Sequence, residues 1–429
     1  MSAHLGSRLG GLALVLTLLA CVSSAEAGSG QRFVMGTKLY PDPERHRPGK
    51  GWVVADPVFS THVVRVSDKT RDRYPDTGIQ NEYSRSDPEN KDGTLLVLRG
   101  DEASWQLYDA RTFKRLKALS TLGRGGQEPE PRWDSRQTNV LYHLRGMKLM
   151  SLNVRSGRQK TMHDFKRDFP RGAYITTGSE GDASLDRRWW CLAVTDGDLE
   201  FKAIAVYDRV QNRVRASKTS IESPINNVSM DMSGRHCLIG YDNGDARVFS
   251  RDFGKKVVLP SEAVGHSDLA RTASGRDVLV YQNAATDWIT MADLDTGRET
   301  RLLHIPFVTN TDIGLHFSGN AARAKGWVLV STYGSKKPPA ARRRSWMDRQ
   351  LFMLELRPRP RVWRIAYTNC AQSPALSGEA NYFAEAFAAI NTRGTRIYWG
   401  SNWGRRDLRR LDTYAALLPA RWWKRLPRS

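Results

Sequence analysis

The sequence predicts an all-β fold, a seven-bladed β-propeller built from four-stranded antiparallel blades. Three observations lead there. A unit recurs at roughly 40–50 residues through the middle of the chain, the range of propeller blades. Within each unit, short apolar runs rich in β-branched and aromatic residues alternate with Asp, Asn, Ser and Gly turns. No stretch sustains a helical period flanked by caps. A lone four-stranded sheet leaves both faces wet, and stacking such sheets around an axis buries them.

Each unit opens on a small or polar segment expected to form an innermost strand. These segments are Tyr83–Ser86, Pro131–Trp133, Gly181–Ser184, Asn227–Ser229, His266–Asp268, Gly314–Ser318 and Phe383–Ala386. A turn such as Asp92-Gly93, Ser233-Gly234 or Ser274-Gly275 leads into an apolar strand such as Thr94–Leu98, Cys237–Gly240 or Asp277–Tyr281. Later strands end on Asp or Asn turns, among them Asp109-Ala-Arg-Thr112 and Asn153-Val-Arg-Ser-Gly157. The last unit offers three strands, Phe383–Ile390, Arg396–Ser401 and Asp412–Leu418. The early run Thr61–Ser67 is expected to supply the fourth and close the ring, which removes open sheet edges.

The ends of the chain read differently. Leu9–Leu19 is apolar, of signal-peptide length and short for a bilayer span. Ala25-Glu26-Ala27 offers cleavage before Gly28, while Leu18-Leu19-Ala20-Cys21 resembles a lipobox that would lipidate Cys21. No later segment is apolar enough to span a membrane. The expected organisation is a signal peptide over 1–27, an extension over 28–58, the propeller over 59–419 and a basic aromatic tail over 420–429. The tail segment Arg421–Arg425 could touch an anionic membrane surface.

Of 429 residues, 40% are hydrophobic and 26% charged, which excludes a disordered chain. The net charge of +21 survives signal removal, because residues 1–27 carry one Arg and one Glu. Such a balance favours anionic partners, although scattered Arg also fits a generally basic protein. Cys191 and Cys237 sit in apolar runs and read as small buried hydrophobes, and with Cys370 they leave an odd number once Cys21 is removed. There is no C-x-x-C pair, G-x-S-x-G elbow, H-E-x-x-H, Walker loop or dinucleotide fingerprint.

The repeated pattern of Asp-Gly, an apolar strand and then Leu-Asp-x-x-Thr/Ser-Gly resembles exported bacterial propellers related to the Tol-system propeller and to oligogalacturonate lyases. It covers most of residues 60–418. Gly265-His266-Ser267-Asp268 and Gly400-Ser401-Asn402-Trp403-Gly404 resemble uncharacterised members more than the true lyases. The resemblance implies a ligand site at the channel mouth, where the lyases hold a metal through several His and a Gln. Only His266, His316 and Gln80 are comparable here, so the family's metal set does not carry over residue by residue.

In a closed ring, inner strands from different units converge on one axis. Glu82, Asp182, His266, Asp268, His316 and Glu385, with Asn227, are therefore the ligand-binding candidates, expected to lie outside the core. Carboxylates and imidazoles converging this way suit a sugar or a divalent metal. Their bland reading is hydrogen bonding between blades. The insertion 335–349 adds a second candidate, a polyanion contact through Lys336, Lys337, Arg342, Arg343 and Arg344 with Trp346 stacking on a ring. A solvated loop is its plain alternative. Two functions stay open: an exported binding platform for carbohydrate or envelope protein, and a metal-assisted lyase of acidic oligosaccharides. Export argues against nucleic acid as a partner.

Overall fold

Asx turns and buried apolar strands build the blades. The computed structural model describes residues 32–427 except 124–126, 222–223, 260–264, 307–312, 334–344, 373–377, 405–410 and the side chains of 379–380. The signal segment with Cys21, and Lys336, Lys337 and Arg342–Arg344, lie outside the described residues.

Seven antiparallel sheets each run from an inner strand at the axis to an outer strand at the rim. The inner strands of blades 1 to 7 are Ile79–Gln80, Arg132–Trp133, Tyr174–Thr176, Ile225–Met230, Ser267–Arg271, Gly314–Ser318 and Ala389–Ile390. The second strands are the most buried, as Trp189–Thr195 of blade 3 shows at every position. Neighbouring blades cover both their faces, so they read as continuous apolar runs. Outer strands such as Arg213–Lys218 alternate exposed and half-buried, because only one face is covered.

The turns explain why the repeat was visible. Between third and outer strands, the Asp109 carboxylate accepts from the amides of Arg111 (2.9 Å) and Thr112 (2.8 Å). Asn153 does the same for Arg155 and Ser156, and Asp293 for Asp295 and Thr296. A Gly then takes the left-handed conformation in two of these turns, with φ of 76° at Gly157 and 74° at Gly297, and Phe113 takes it after Asp109 with φ of 56°. These side chains satisfy amides that the ladder leaves free.

The ring closes as expected. His62–Arg65 pairs antiparallel with Asp412–Leu417, Val64 opposite Ala415, and becomes the fourth strand of blade 7. The extension before it is not separate from the propeller. Val34–Met35 adds a fifth strand to blade 6, and Val53–Ala55 adds a fifth to blade 7.

Several expectations are corrected. In blades 1 and 3 the inner strands lie upstream of Tyr83–Ser86 and Gly181–Ser184, which follow them as irregular backbone. The blade 7 segment Phe383–Ile390 is a strand only at Ala389–Ile390, and Gly378–Phe383 is a short helix. Trp422 of the basic tail is fully buried against Trp327 and Trp363, ring centroids 5.2 and 4.8 Å away, and its indole N–H donates to Gly394 O (2.7 Å). Its apolar surface belongs to the core between blades 6 and 7, while Arg421, Lys424 and Arg425 of that segment stay exposed. Trp346 is half-buried, packed on Phe352 with the Arg364 guanidinium 4.9 Å from its ring, so that ring is not an open stacking platform. Cys191 and Cys237 are buried as expected but not as separate thiols. They occupy second strands of blades 3 and 4 and form a disulfide, Cα atoms 5.6 Å apart, while Cys370 is free and buried.

Candidate functional site at the propeller axis

The inner segments place two linked polar groups along the axis. The first centres on Arg132 of blade 2, which is 2% exposed. Its guanidinium donates to Glu82 Oε2 of blade 1 (2.6 Å) and to the Gly181 carbonyl (2.6 Å), and pairs with Asp182 Oδ1 of blade 3 (3.4 Å). Arg187 holds the same Asp182 oxygen at 2.6 Å. One guanidinium thus ties three blades, and it satisfies carboxylates that burial would otherwise penalise. Burial still dominates at Glu82, raising its pKa to about 7 against the opposing charge of Arg132.

The second group lies between blades 5, 6 and 7. His316 is 2% exposed and its Nε2 meets Glu385 Oε2 at 2.9 Å. Burial pushes its pKa down to about 3, so the ring is neutral. Nε2 then carries the proton and donates to Glu385, leaving Nδ1 to accept from the Tyr83 hydroxyl at 3.5 Å. Tyr333 stacks on His316 at 5.1 Å, and Phe387 meets it edge-on at 4.8 Å. His266 packs edge-on against His316, centroids 5.1 Å apart, and its Nε2 lies 3.5 Å from the Tyr333 hydroxyl. Burial, then the neighbouring His316, lowers the His266 pKa to about 4. Its Nδ1 is buried and has no hydrogen-bond partner among the described residues. Beyond Phe387 stands Tyr382, 45% exposed, centroids 4.8 Å apart.

Asp268 and Arg85 lie among these groups. Asp268 accepts from the amides of Gly319 (2.6 Å) and Leu269 (2.8 Å), and burial raises its pKa to about 7. Arg85 pairs with Glu180 at 3.0 Å, and Asn227 donates to the same carboxylate at 3.1 Å.

All six sequence-predicted ligand candidates therefore take part in axial polar contacts. Glu82 and Asp182 share Arg132, His266, His316 and Glu385 form one group, and Asp268 is held by backbone amides. His316, Asp268 and Asn227 depart from the expectation of residues outside the core, because the blades around the axis bury all three. The sequence reading missed Arg85 and Arg132, although both lie within segments it assigned to inner strands. It sought acids and imidazoles, and the counter-charges those acids require are arginines from the same segments. Tyr333 sits at the end of a second strand and carried no signal in the repeat.

The donor set does not fit a metal held as in the lyases. Gln80 is lodged against Gly400 of blade 7, where an added Cβ would come within 1.9 Å of its Oε1. His266, His316 and Glu385 do not bring three ligating atoms together. Among the described residues the group that does is Asp231, His236 and Asp277, with these atoms within 4.8 Å of one another. It lies away from the axis and its members are already engaged, His236 with Asp231 at 2.8 Å and Asp277 with Arg235 at 2.9 Å.

No protein-family model matches the chain, and no curated protein matches it in sequence. Solved structures do share its fold. An oligogalacturonate lyase in complex with manganese superposes with a TM-score of 0.56 at 12% identity, covering 87% of this chain and 99% of that one. An oligogalacturonate lyase from Vibrio parahaemolyticus gives 0.55 at 10% identity, covering 86% and 99%. At these identities the likeness is one of fold.

Proposed function

We propose that the protein is an exported binding platform whose axial mouth takes an acidic oligosaccharide. One observation carries this reading: the buried Nδ1 of His266, without a partner among the described residues, is joined through His316 and Phe387 to the exposed Tyr382 ring. A sugar needs an aromatic face to stack on and a few fixed polar groups to orient its hydroxyls. The opening supplies Tyr382 for the first, and His266 with Gln372 and Glu385 for the second; Gln372 Nε2 lies 3.5 Å from Glu385 Oε1. The charge of +21 draws anionic glycans towards the protein. Export is supported by the amino-terminal apolar segment and by the Cys191–Cys237 disulfide, which suits an oxidising compartment. No helix among the described residues is long and apolar enough to cross a membrane.

The lyase reading rests on the shared fold. Titration calorimetry with trigalacturonate, with chelator or with added manganese, separates the two. The ultraviolet absorbance of an unsaturated uronate product is followed in parallel. Binding that survives chelation and yields no product is expected. His266→Ala and Tyr382→Ala should each weaken it about tenfold, equivalent to roughly 1.4 kcal/mol. Metal-dependent product formation would establish the lyase, and absence of any binding would remove the sugar platform.

A further inference from the structure

The blades have two ends, and the axial mouth uses one of them. His266 precedes an inner strand and Tyr333 ends a second strand, so both lie where blades connect to the next blade and where second strands turn into third. The opposite end carries the turns from inner to second strands and from third to outer strands. There blades 3, 4 and 5 enclose a cleft of about 530 Å³. That volume lies within the range of small-molecule sites.

Its walls are cationic. Six Arg or Lys side chains line it against three carboxylates, a formal excess of three positive charges before His236 is counted. The carboxylates are already engaged. Asp208 receives a two-pronged bond from Arg188 (3.0 and 2.7 Å). Asp295 accepts from His236 (3.1 Å) and Arg235 (3.3 Å). Asp252 accepts from the Ser250 hydroxyl (2.6 Å) and the Gly254 amide (3.1 Å).

Three guanidiniums are left over. Arg213 and Arg215 project from the exposed face of the outer strand of blade 3, and Arg251 from the turn of blade 4. None makes a hydrogen bond or an ion pair with a described residue; the nearest acidic influence is Asp252, whose carboxyl is held low chiefly by Ser250 and in small part by Arg215. Arg251 is also held in place, its guanidinium 4.2 Å from the Trp189 ring centroid, with Arg188 4.7 Å from the same ring. Guanidiniums packed on an aromatic ring have lost part of the freedom that anion binding would otherwise remove. Like charges gathered in one concave wall repel, and an anion relieves that repulsion.

We infer that this cleft is a second binding site, for a compact anion carrying several oxyanion groups, phosphate or carboxylate. It is independent of the axial mouth. Arg213, Arg215 and Arg251 would supply forked donors to the oxyanions, while Arg188 and Arg235 stay on their carboxylates. Inorganic tripolyphosphate and tricarballylate, titrated calorimetrically into the full protein at physiological ionic strength, separate the two oxyanion chemistries. Saturable one-to-one binding of at least one is expected, weakened tenfold or more by the double substitution Arg213→Ala, Arg215→Ala. The control is Arg167→Ala, Arg171→Ala, which removes the same charge from exposed positions outside the cleft. Two results would overturn the site: neither probe binding saturably, or the control pair weakening binding as much as the cleft pair. Far-ultraviolet circular dichroism and the melting midpoint identify any loss caused by unfolding. Should the double variant be unfolded, charge reversal at one exposed position, Arg213→Glu, carries the same test.

Discussion

Replacing both Cys191 and Cys237 by Ala removes the covalent tie between blades 3 and 4. The two residues are 46 positions apart. Closing a loop of that length in the unfolded chain removes entropy worth about 4 kcal/mol at 25 °C on the chain-entropy relation. Both side chains are 0% exposed, so the substitutions change little surface chemistry. At about 2.1 cal/mol/K of unfolding entropy per residue, a propeller of this size should lose about 5 °C in melting temperature. The assay is thermal unfolding by circular dichroism at matched scan rates, for wild type, double variant and wild type with reductant. The last two should melt together, below the first. Thiol titration of the unfolded, unreduced mature chain should find Cys370 alone. Finding all three thiols, or coincident melting of oxidised and reduced protein, would refute the reasoning.

Other outcomes follow from the same packing. Arg132→Met strands Glu82 and Asp182 without their shared cation and should cost about 3–5 kcal/mol in chemical denaturation; adding Glu82→Gln should recover part of it, and no recovery would dismiss the pairing. Val64→Asp buries an unpaired carboxylate in the closing strand and should lower stability by several kcal/mol, checked by urea unfolding. His316→Ala should destabilise by about 1–3 kcal/mol, since Glu385 loses one of its donors, whereas His266→Ala should leave stability nearly unchanged and act on binding. Burial opposes charge on His236, but bonds to Asp231 and Asp295 outweigh it and raise the pKa above 6.5. A raised base stabilises the fold fully below its unfolded value and loses that contribution as pH rises through the folded value. Asp231, lowered by the same partner against its own burial, contributes above 3.8 and loses this as pH falls through its folded value. Their joint contribution should thus peak between about 3.8 and 6.5, and His236→Asn should flatten stability measured across that window.

Asp109, Asn153 and Asp293 announce themselves because an Asx turn needs that side chain in that place, and each blade repeats the need. The closing strand was legible because Thr61–Ser67 is a β-branched run with no unit of its own. Val34–Met35 was not, because a two-residue strand has no period to detect. The helix Gly378–Phe383 was hidden for a similar reason: six residues leave no amphipathic pattern, and the aromatic residues at its end read as strand. The disulfide did leave a trace. Cys191 and Cys237 both fall in second strands, and their separation of 46 lies within the repeat length. Equal phase in adjacent units implies adjacency in space. At the axis, the ring placed His266, His316 and Glu385 near one another by the same logic. Which buried acid receives an arginine depends on side-chain reach across blades, and the repeat does not encode it.

The seam at blades 6 and 7 has a consequence for how the molecule is made. Val34–Met35 and His62–Arg65 pair directly with strands from residues 362–417, and Trp422 locks the same region from the far end. These early strands therefore cannot find their partners until nearly the whole propeller has appeared. Contacts this distant in sequence make the final step slow, since their loop entropy is spent before any pairing is gained. Until then the ring is an open arc with bare strand edges at both tips, the kind of surface on which chains aggregate. If the chain crosses a membrane unfolded, both tips emerge on the same side before they meet, and closure becomes an event of the destination compartment. A chain lacking Val34–Met35, His62–Arg65 or Trp422 would open the same seam, so losing these few residues should resemble loss of a blade more than the trimming of a tail.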